Sequence, residues 1–326
     1  MEDNSLVTIR DIANKLGLSV STVSRALNNN PRISVKTRRL VREYADKVGY
    51  EPNYNARNLT LQEANAVGVV FPVNERVIDN IFYVELLRGI NKQLNKNNFV
   101  LSIAIGDTAE SVMDSVSSMI SRGKIKRFII FYSHAGDPVI KLIDDAPVDY
   151  VTIGKPTHGN NWLYVDNDNR KAGADATQFL IDNFSIKHPV FIESTFGWPY
   201  EEDRRTGYLE LLDKLGIKPL VFSIPEDETD SVDEFIKEHP EIDGVVATDD
   251  YTGMKFYKRF RVMNDGRSVE VVGFNASLPK ELVDEHFHSV NLFPKEMGKA
   301  AVDLLVKNDQ EQLFGDQRFR IVDHEI

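Results

Sequence analysis

The 326-residue chain has no cysteine, which excludes a disulfide scaffold, a thiolate zinc centre and a cysteine nucleophile, and fits a reducing compartment. No stretch approaches the roughly 20 apolar residues of a bilayer-spanning helix. Met1 to Leu6 is acidic and polar with no apolar segment behind it, so a cytoplasmic protein with no membrane partner is expected. Catalytic signatures are missing too. There is no GxSxG, HExxH, GxGxxG or phosphate-loop string, the seven histidines are scattered, and Ser121 to Lys124 matches Ser-x-x-Lys only at the level of chance. As a calcium loop, Asp166 to Asn169 fails: Lys171 stands where glycine is needed and Thr177 where a bidentate glutamate is needed. Neither an enzyme nor a metal or cofactor is expected.

What is present is asymmetric charge. The net charge is −11, yet Met1 to Thr60 carries ten Lys and Arg against six Asp and Glu, a balance of +4, and the other 266 residues carry 29 against 44, or −15. A basic head on an acidic body points to a nucleic-acid contact confined to one end. At 326 residues the chain is too long for one small core.

Within the head, Ile9, Ile12, Ala13 and Leu16 recur at helical spacing behind Thr8, a candidate N-cap paired with Asp11. Gly17 can end that helix in the left-handed conformation and Ser19 can cap a second over Val20 to Leu27. Two helices around a short glycine-containing turn form a helix-turn-helix, whose second helix enters the major groove of double-stranded DNA. Its outward positions are Val20, Ser21, Thr22, Ser24, Arg25 and Asn28. Hydroxyls reach phosphates or base edges, Val20 can meet a thymine methyl, and Arg25 can grip guanine bidentately. Any small polar helix has such a face, so spacing alone leaves this reading and a plain surface helix level. A third helix over Ser34 to Val48 turns Val35, Leu40, Val41, Tyr44 and Ala45 inward and Lys36, Arg38, Arg39 and Arg42 outward.

The strings DIAxxLGLSxSTVSRALN, Thr37-Arg38 and GYxPNxxAR, from Asp11 to Arg57, resemble the DNA-binding head of the lactose-repressor family of bacterial sugar-responsive regulators. The resemblance implies a hinge over Tyr50 to Leu59 that becomes helical on DNA, with Asn53 and Ala56 against the minor groove and Leu59 as an apolar wedge. It implies Thr8, Ser19, Lys36, Thr37, Arg38 and Tyr50 as further DNA-contacting positions, a homodimer, and a pseudo-palindromic operator.

Beyond Ala66 the chain alternates between eight apolar, β-branched runs (AVGVVFP, FVLSIAIG, RFIIFY, VDYVTIG, HPVFIES, PLVFSIP, DGVVATDD and VEVVGFN) and seven amphipathic segments starting near Tyr83, Glu110, Arg170, Arg204, Ser231, Thr252 and Pro294. This is α/β with buried parallel strands. Eight strands could close as a barrel. Length and the family resemblance favour two doubly wound lobes, as in periplasmic sugar-binding proteins. The expected organisation is an all-α helix-turn-helix head over residues 1–49, a linker over 50–64, and a two-lobed body over 65–326. Lobe 1 is expected at about 65–162 with 292–310, and lobe 2 at about 163–291 with 311–326.

The resemblance also implies a sugar cleft. Arg204 in RRTGY matches the arginine three residues before a glycine at a helix start, which holds sugar hydroxyls; a surface arginine is the plainer reading. Asn275 departs from the aspartate common in that position, and Asp249 ends a strand where contact or simple helix capping would place it. Phe71, Tyr83, Phe131, Trp198 and Phe293 offer flat faces for sugar stacking, though each serves a core equally well. IGKP at Ile153 to Pro156, VDNDN at Val165 to Asn169 and GFN at Gly273 resemble the maltose-operon repressors of Gram-positive bacteria. That branch implies Lys155 at the cleft mouth, Asp166 to Asn169 capping a helix, and maltose or a related α-glucoside as effector. No leucine heptad follows Asn308, so a dimer is expected. A free sugar-binding protein is the alternative from another class, and another sugar or a corepressor the alternative within this one.

Overall fold

The computed structural model describes residues 7–27, 29–50, 63–73, 81–131, 136–156, 163–225, 229–279, 283–307 and 318–326. Asn28, the hinge positions Asn53, Ala56 and Leu59, and residues 308–317 of the segment expected to lack heptads lie outside the described residues. The chain divides into two compact units, Met1–Glu63 and Ala64–Ile326.

The first unit contains α1 (Ile9–Leu16), α2 (Val20–Leu27) and α3 (Val35–Lys47). At the start of α1 the Thr8 backbone N–H and hydroxyl both donate to Asp11 Oδ2, at 2.8 and 2.7 Å, and these bonds hold the Asp11 carboxyl below its ordinary range. Gly17 ends the helix at φ 64°, and the Thr22 N–H donates to Ser19 Oγ at 3.1 Å to open α2. Ile12, Ala13, Val23, Ala26, Val41 and Ala45 form the buried core. Leu40, expected on the inner side, is instead exposed together with Val35. The inner stripe of α3 centres on the buried Val41 and Ala45, and Leu40 stands one residue, about 100°, from Val41.

Two all-parallel sheets organise the second unit. The first has the order β11-β5-β4-β3-β1-β2, from β1 (Ala66–Val70), β2 (Val100–Ala104), β3 (Arg127–Phe131), β4 (Asp149–Ile153), β5 (Tyr164–Asn167) and β11 (Phe319–Val322). The second has the order β10-β9-β8-β6-β7, from β6 (Pro189–Ser194), β7 (Leu220–Ile224), β8 (Gly244–Ala247), β9 (Glu270–Phe274) and β10 (Phe287–Val290). Around them pack α4 (Ile81–Lys96), α5 (Ala109–Ser121), α6 (Pro138–Asp144), α7 (Asn169–Phe184), α8 (Pro199–Leu215), α9 (Thr229–Glu238), α10 (Asp250–Met263) and α11 (Pro294–Lys307). The open sheets rule out the barrel.

The lobe boundaries differ from the expected ones. Tyr164–Asn167 and Phe319–Val322 pair with each other in the first sheet, so 163–167 and the C-terminal strand belong to lobe 1 rather than lobe 2. Each is a four-residue strand interrupted by charged or polar positions, YVDN and FRIV, so neither reads as an apolar run, and β10, FHSV, escapes for the same reason. Asn167 stands at one crossing between the lobes and ties it to the other and to the C-terminal strand: its side-chain amide donates to the carbonyls of Leu292 at 3.1 Å and Val322 at 2.8 Å.

Glycines set the tightest helix contacts. An ideal Cβ on Gly89 would lie 2.1 Å from the Lys295 carbonyl oxygen, and one on Gly207 would lie 1.9 Å from that of Arg170. The α4–α11 and α7–α8 pairs therefore meet backbone to backbone. Chain order reverses between β1 and β3 in one sheet and between β6 and β8 in the other, and open α/β sheets take ligands beyond the carboxyl ends of strands at such switch points.

Candidate DNA-reading face and effector cleft

In the head, α2 presents Val20, Ser21 and Arg25 to solvent, with Thr22 and Ser24 half-buried beside them. Ser19 Oγ lies 2.9 Å from Ser21 Oγ and 2.8 Å from Thr22 Oγ1, a linked hydroxyl cluster at the helix start. Backbone N–H groups at a helix start and adjacent hydroxyls suit phosphate oxygens. Lys36 is exposed on α3, whereas Thr37 is engaged with Ser34, its hydroxyl 2.8 Å from Ser34 Oγ. Arg38 turns back, donating to the Asn29 carbonyl at 3.2 Å, and Arg42 donates to the Asn29 side chain. Asn29 itself adopts φ 58°. Tyr50 is half-buried and packs on the head core. Of the expected DNA residues, Val20, Ser21, Arg25 and Lys36 are thus exposed, while Thr8, Ser19, Thr22, Thr37 and Arg38 have hydrogen-bond partners within the fold. Asn29, which the sequence reading passed over, organises the turn between α2 and α3.

In the second unit, Arg204 is only 2% exposed. It was expected at a helix start; it lies within the second turn of α8, which begins at Pro199. Its Nε donates to Asn169 Oδ1 at 3.0 Å and its Nη1 to the Thr248 carbonyl at 2.5 Å. The guanidinium Cζ sits 4.2 Å from the Phe274 ring centre and 4.8 Å from that of Tyr200. Cation–π contact of this kind is strongest where water is excluded. Asn169 also donates to Asp166 Oδ1 at 2.9 Å, while Asp166 Oδ2 accepts the Lys155 backbone N–H at 2.8 Å. A continuous chain of bonds therefore runs from β4 and β5 of lobe 1 to α8 and the end of β8 in lobe 2.

Ionisable groups gather where the strands end. Burial pushes Asp166 up to about 6, against the pull of its backbone donors and Arg204. Burial pushes Asp250 up to about 7, although Ser289 donates to its Oδ1 at 2.5 Å and Ser277 donates to its Oδ2 from backbone and hydroxyl. Glu201 is likewise raised by burial, with Asp249 adding to the shift, while Ser194 donates to it at 2.7 Å. Tyr83 of lobe 1 and Tyr200 of lobe 2 are both raised by burial first, with the Asp249 carboxylate among the further causes.

The structure brings Tyr83, Trp198, Arg204 and Asp249 around Tyr200: Trp198 stacks on Tyr200 with 6.4 Å between centres and 8° between planes. Asp249 does cap α10, accepting the Thr252 N–H at 2.7 Å. Phe71 and Phe131 are buried core rings, 4.9 Å apart, and Tyr83 stacks on Phe131 at 5.6 Å and 19°. They support the wall and do not themselves form an open face. Asn275 is half-buried at φ 94° with its N–H on the Val290 carbonyl. Phe293 begins α11 at φ 52°, its carbonyl accepting the N–H groups of Glu296 and Met297. Asn169, Tyr200, Glu201 and Phe274 were missed. Glu201 carries a readable signal, an acid at the third position of a helix opened by Pro199, hidden once the helix was started at Arg204.

Residues 8–53 match the pattern of the bacterial regulatory proteins of the lacI family, and residues 183–312 match the periplasmic binding protein-like domain. The HTH-type transcriptional regulator MalR of Streptococcus pneumoniae is 30% identical over 256 residues, covering 74% of this chain and 76% of that one. The chain belongs to the LacI family. The regulator is also 29% identical over 309 residues to the HTH-type transcriptional regulator MalR of Staphylococcus xylosus, across 91% of this chain and 90% of that protein. Its fold matches that of a probable maltose operon transcriptional repressor from Staphylococcus aureus, with a TM-score of 0.72, 20% identity and coverage of 81% of this chain and 96% of the other. It is thus a DNA-binding transcription regulator and not an enzyme. No helix among the described residues is long and apolar enough to cross a membrane, and no group of three or more His, Asp and Glu among them could hold a metal ion.

Proposed function

We propose that this regulator represses carbohydrate-utilisation genes as a homodimer on a pseudo-palindromic operator and is released by a small sugar, maltose or a related α-glucoside. The observation that carries the reading is the buried Arg204, held between Asn169 and the Thr248 carbonyl where two parallel sheets end, beside the Trp198–Tyr200 stack. A guanidinium edge, carboxylate acceptors and aromatic faces are the groups that hold a polyhydroxyl ring. The name of the staphylococcal neighbour as a maltose operon repressor supports the choice of sugar. Val20, Ser21, Thr22, Ser24 and Arg25 would read the major groove, with Lys36 on a phosphate. Exposed apolar side chains at Val100 and Ile103 of the edge strand, at Ile105 just after it and at Ile81 and Val84 of α4 support a self-association face on lobe 1. Mechanistically, a sugar that binds one lobe arrangement more tightly shifts the population away from the DNA-competent one.

The test is a fluorescence-anisotropy titration on a pseudo-palindromic duplex at fixed salt, repeated with maltose, glucose, galactose and lactose at millimolar concentration. Specific binding relieved by maltose supports the reading; specific binding altered by none of the four removes these sugars as effectors.

A further inference from the structure

Helix N-termini facing a ligand site are ordinary places to hold a phosphate, because their free N–H groups and dipole favour negative charge. In lobe 2 three helices, α7, α8 and α10, begin around Arg204, and each start already holds a carboxylate of this chain. Asp168 Oδ1 accepts the Lys171 N–H at 3.0 Å, Glu201 Oε2 accepts the Trp198 N–H at 3.1 Å, and Asp249 Oδ1 accepts the Thr252 N–H at 2.7 Å. The anion sites that the fold provides are filled from within.

Arg204 does not replace them. A phosphoryl group is gripped by a guanidinium fork presenting parallel donors, but here Nε and Nη1 are committed to neutral oxygens of Asn169 and Thr248. The guanidinium also packs on two rings, Phe274 and Tyr200. The Asp203 carboxylate adds to the upward shift of Asp166, and that of Asp249 adds to the upward shift of Glu201. Of the rim cations, Lys155 is exposed and Arg170 is spent on Glu210, with its Nε 2.8 Å from Oε2. A phosphoryl group would bring −1.5 to −2 charges into this acidic surround. A neutral hydroxyl would instead find acceptors.

Resting on the sugar reading above, we infer that the cleft takes an uncharged polyhydroxyl effector and rejects its phosphorylated counterpart, with Glu201 and Asp249 enforcing the choice. The experiment is calorimetric titration of the full chain at constant ionic strength and neutral pH with two matched pairs, maltose against maltose 6′-phosphate and glucose against glucose 6-phosphate. The phosphorylated member of a binding pair is expected to be weaker by about tenfold or more. A phosphorylated member that binds as tightly as its parent, or more tightly, overturns the inference and leaves the sugar reading standing. Binding of neither member of either pair overturns the sugar reading, and this inference falls with it. Asp249→Asn keeps a competent helix cap and removes the charge, so it is expected to narrow the gap within a pair; an unchanged gap in both Asp249→Asn and Glu201→Gln overturns the assignment to these carboxylates.

Discussion

Gly173 faces the backbone of Arg204 so closely that an ideal Cβ on the glycine would stand 2.1 Å from the arginine carbonyl oxygen. Gly207 repeats the arrangement from the other helix, against Arg170. The α7–α8 crossing is thus fixed by two positions that have no side chain, and that crossing presents the Arg204 guanidinium to Asn169, on the first turn of α7. Small changes in helix separation become displacements of the buried cation.

Gly173→Ala is therefore expected to do two things. Overpacking typically costs about 1–3 kcal/mol, and urea unfolding should show a loss of that order. The helices must also part, so sugar-induced release from DNA should weaken while operator affinity without sugar stays close to wild type. Unchanged stability would show that the pair slides apart freely and that the close approach has no structural consequence.

Arg204→Ala removes the donors from two buried acceptors, Asn169 Oδ1 and the Thr248 carbonyl. An unsatisfied buried polar group costs roughly 1–3 kcal/mol, so thermal unfolding should shift down markedly, and Arg204→Lys, which restores charge without the planar fork, should recover only part of it. Anisotropy should show retained operator binding with release by sugar abolished. Normal release in a folded Arg204→Ala protein would move the effector site elsewhere.

Much of this was written locally in the chain. Thr8, Asp11, Gly17 and Ser19 announce the helix-turn-helix because capping and left-handed turns depend on neighbours a few residues apart, and central strands such as β1, β3, β6 and β8 show as apolar runs because they are buried on both faces. What stayed hidden depends on distant partners. Asn167 reads as part of a polar loop, and only pairing with a strand 155 positions away makes it a tie at the crossing between lobes. Arg38 reads as one more basic residue on an outward face, yet the left-handed Asn29 draws it back into the fold. Phe71 and Phe131 read equally as stacking faces or as core, and only the folded sheet decides for the core.

Arg25 is exposed near the C-terminal end of α2, beyond the hydroxyl cluster of Ser19, Ser21 and Thr22. Arg25→Ala is expected to weaken operator binding by roughly 1–3 kcal/mol and to relax preference at one base pair, with a much smaller effect on random DNA. Lys36→Ala should instead weaken both duplexes alike and reduce the salt dependence by about one phosphate contact. Anisotropy across a salt series separates the two patterns, and equal losses on operator and random DNA for Arg25→Ala would remove it from the base-reading set.

Asp250 gives the fold a pH dependence whose sign follows from its surroundings. Burial raises the carboxyl from 3.8 to about 7, so the folded protein binds a proton there that the unfolded chain releases from about pH 4 upward. Between those values the native state holds more protons, and stability falls as pH rises. The contribution is fully unfavourable only above pH 7, where the carboxylate is charged among Ser277, Ser289 and the close-packed Gly273. Asp250→Asn cannot titrate. It loses acceptor capacity at every pH and is expected to be the less stable protein at pH 5, but the wild-type advantage should shrink by about 1 kcal/mol or more by pH 8. Urea unfolding of both proteins at the two pH values measures this difference, with the remaining titrations common to both. A constant gap would mean that Asp250 ionises normally, and that the serine donors fully offset its burial.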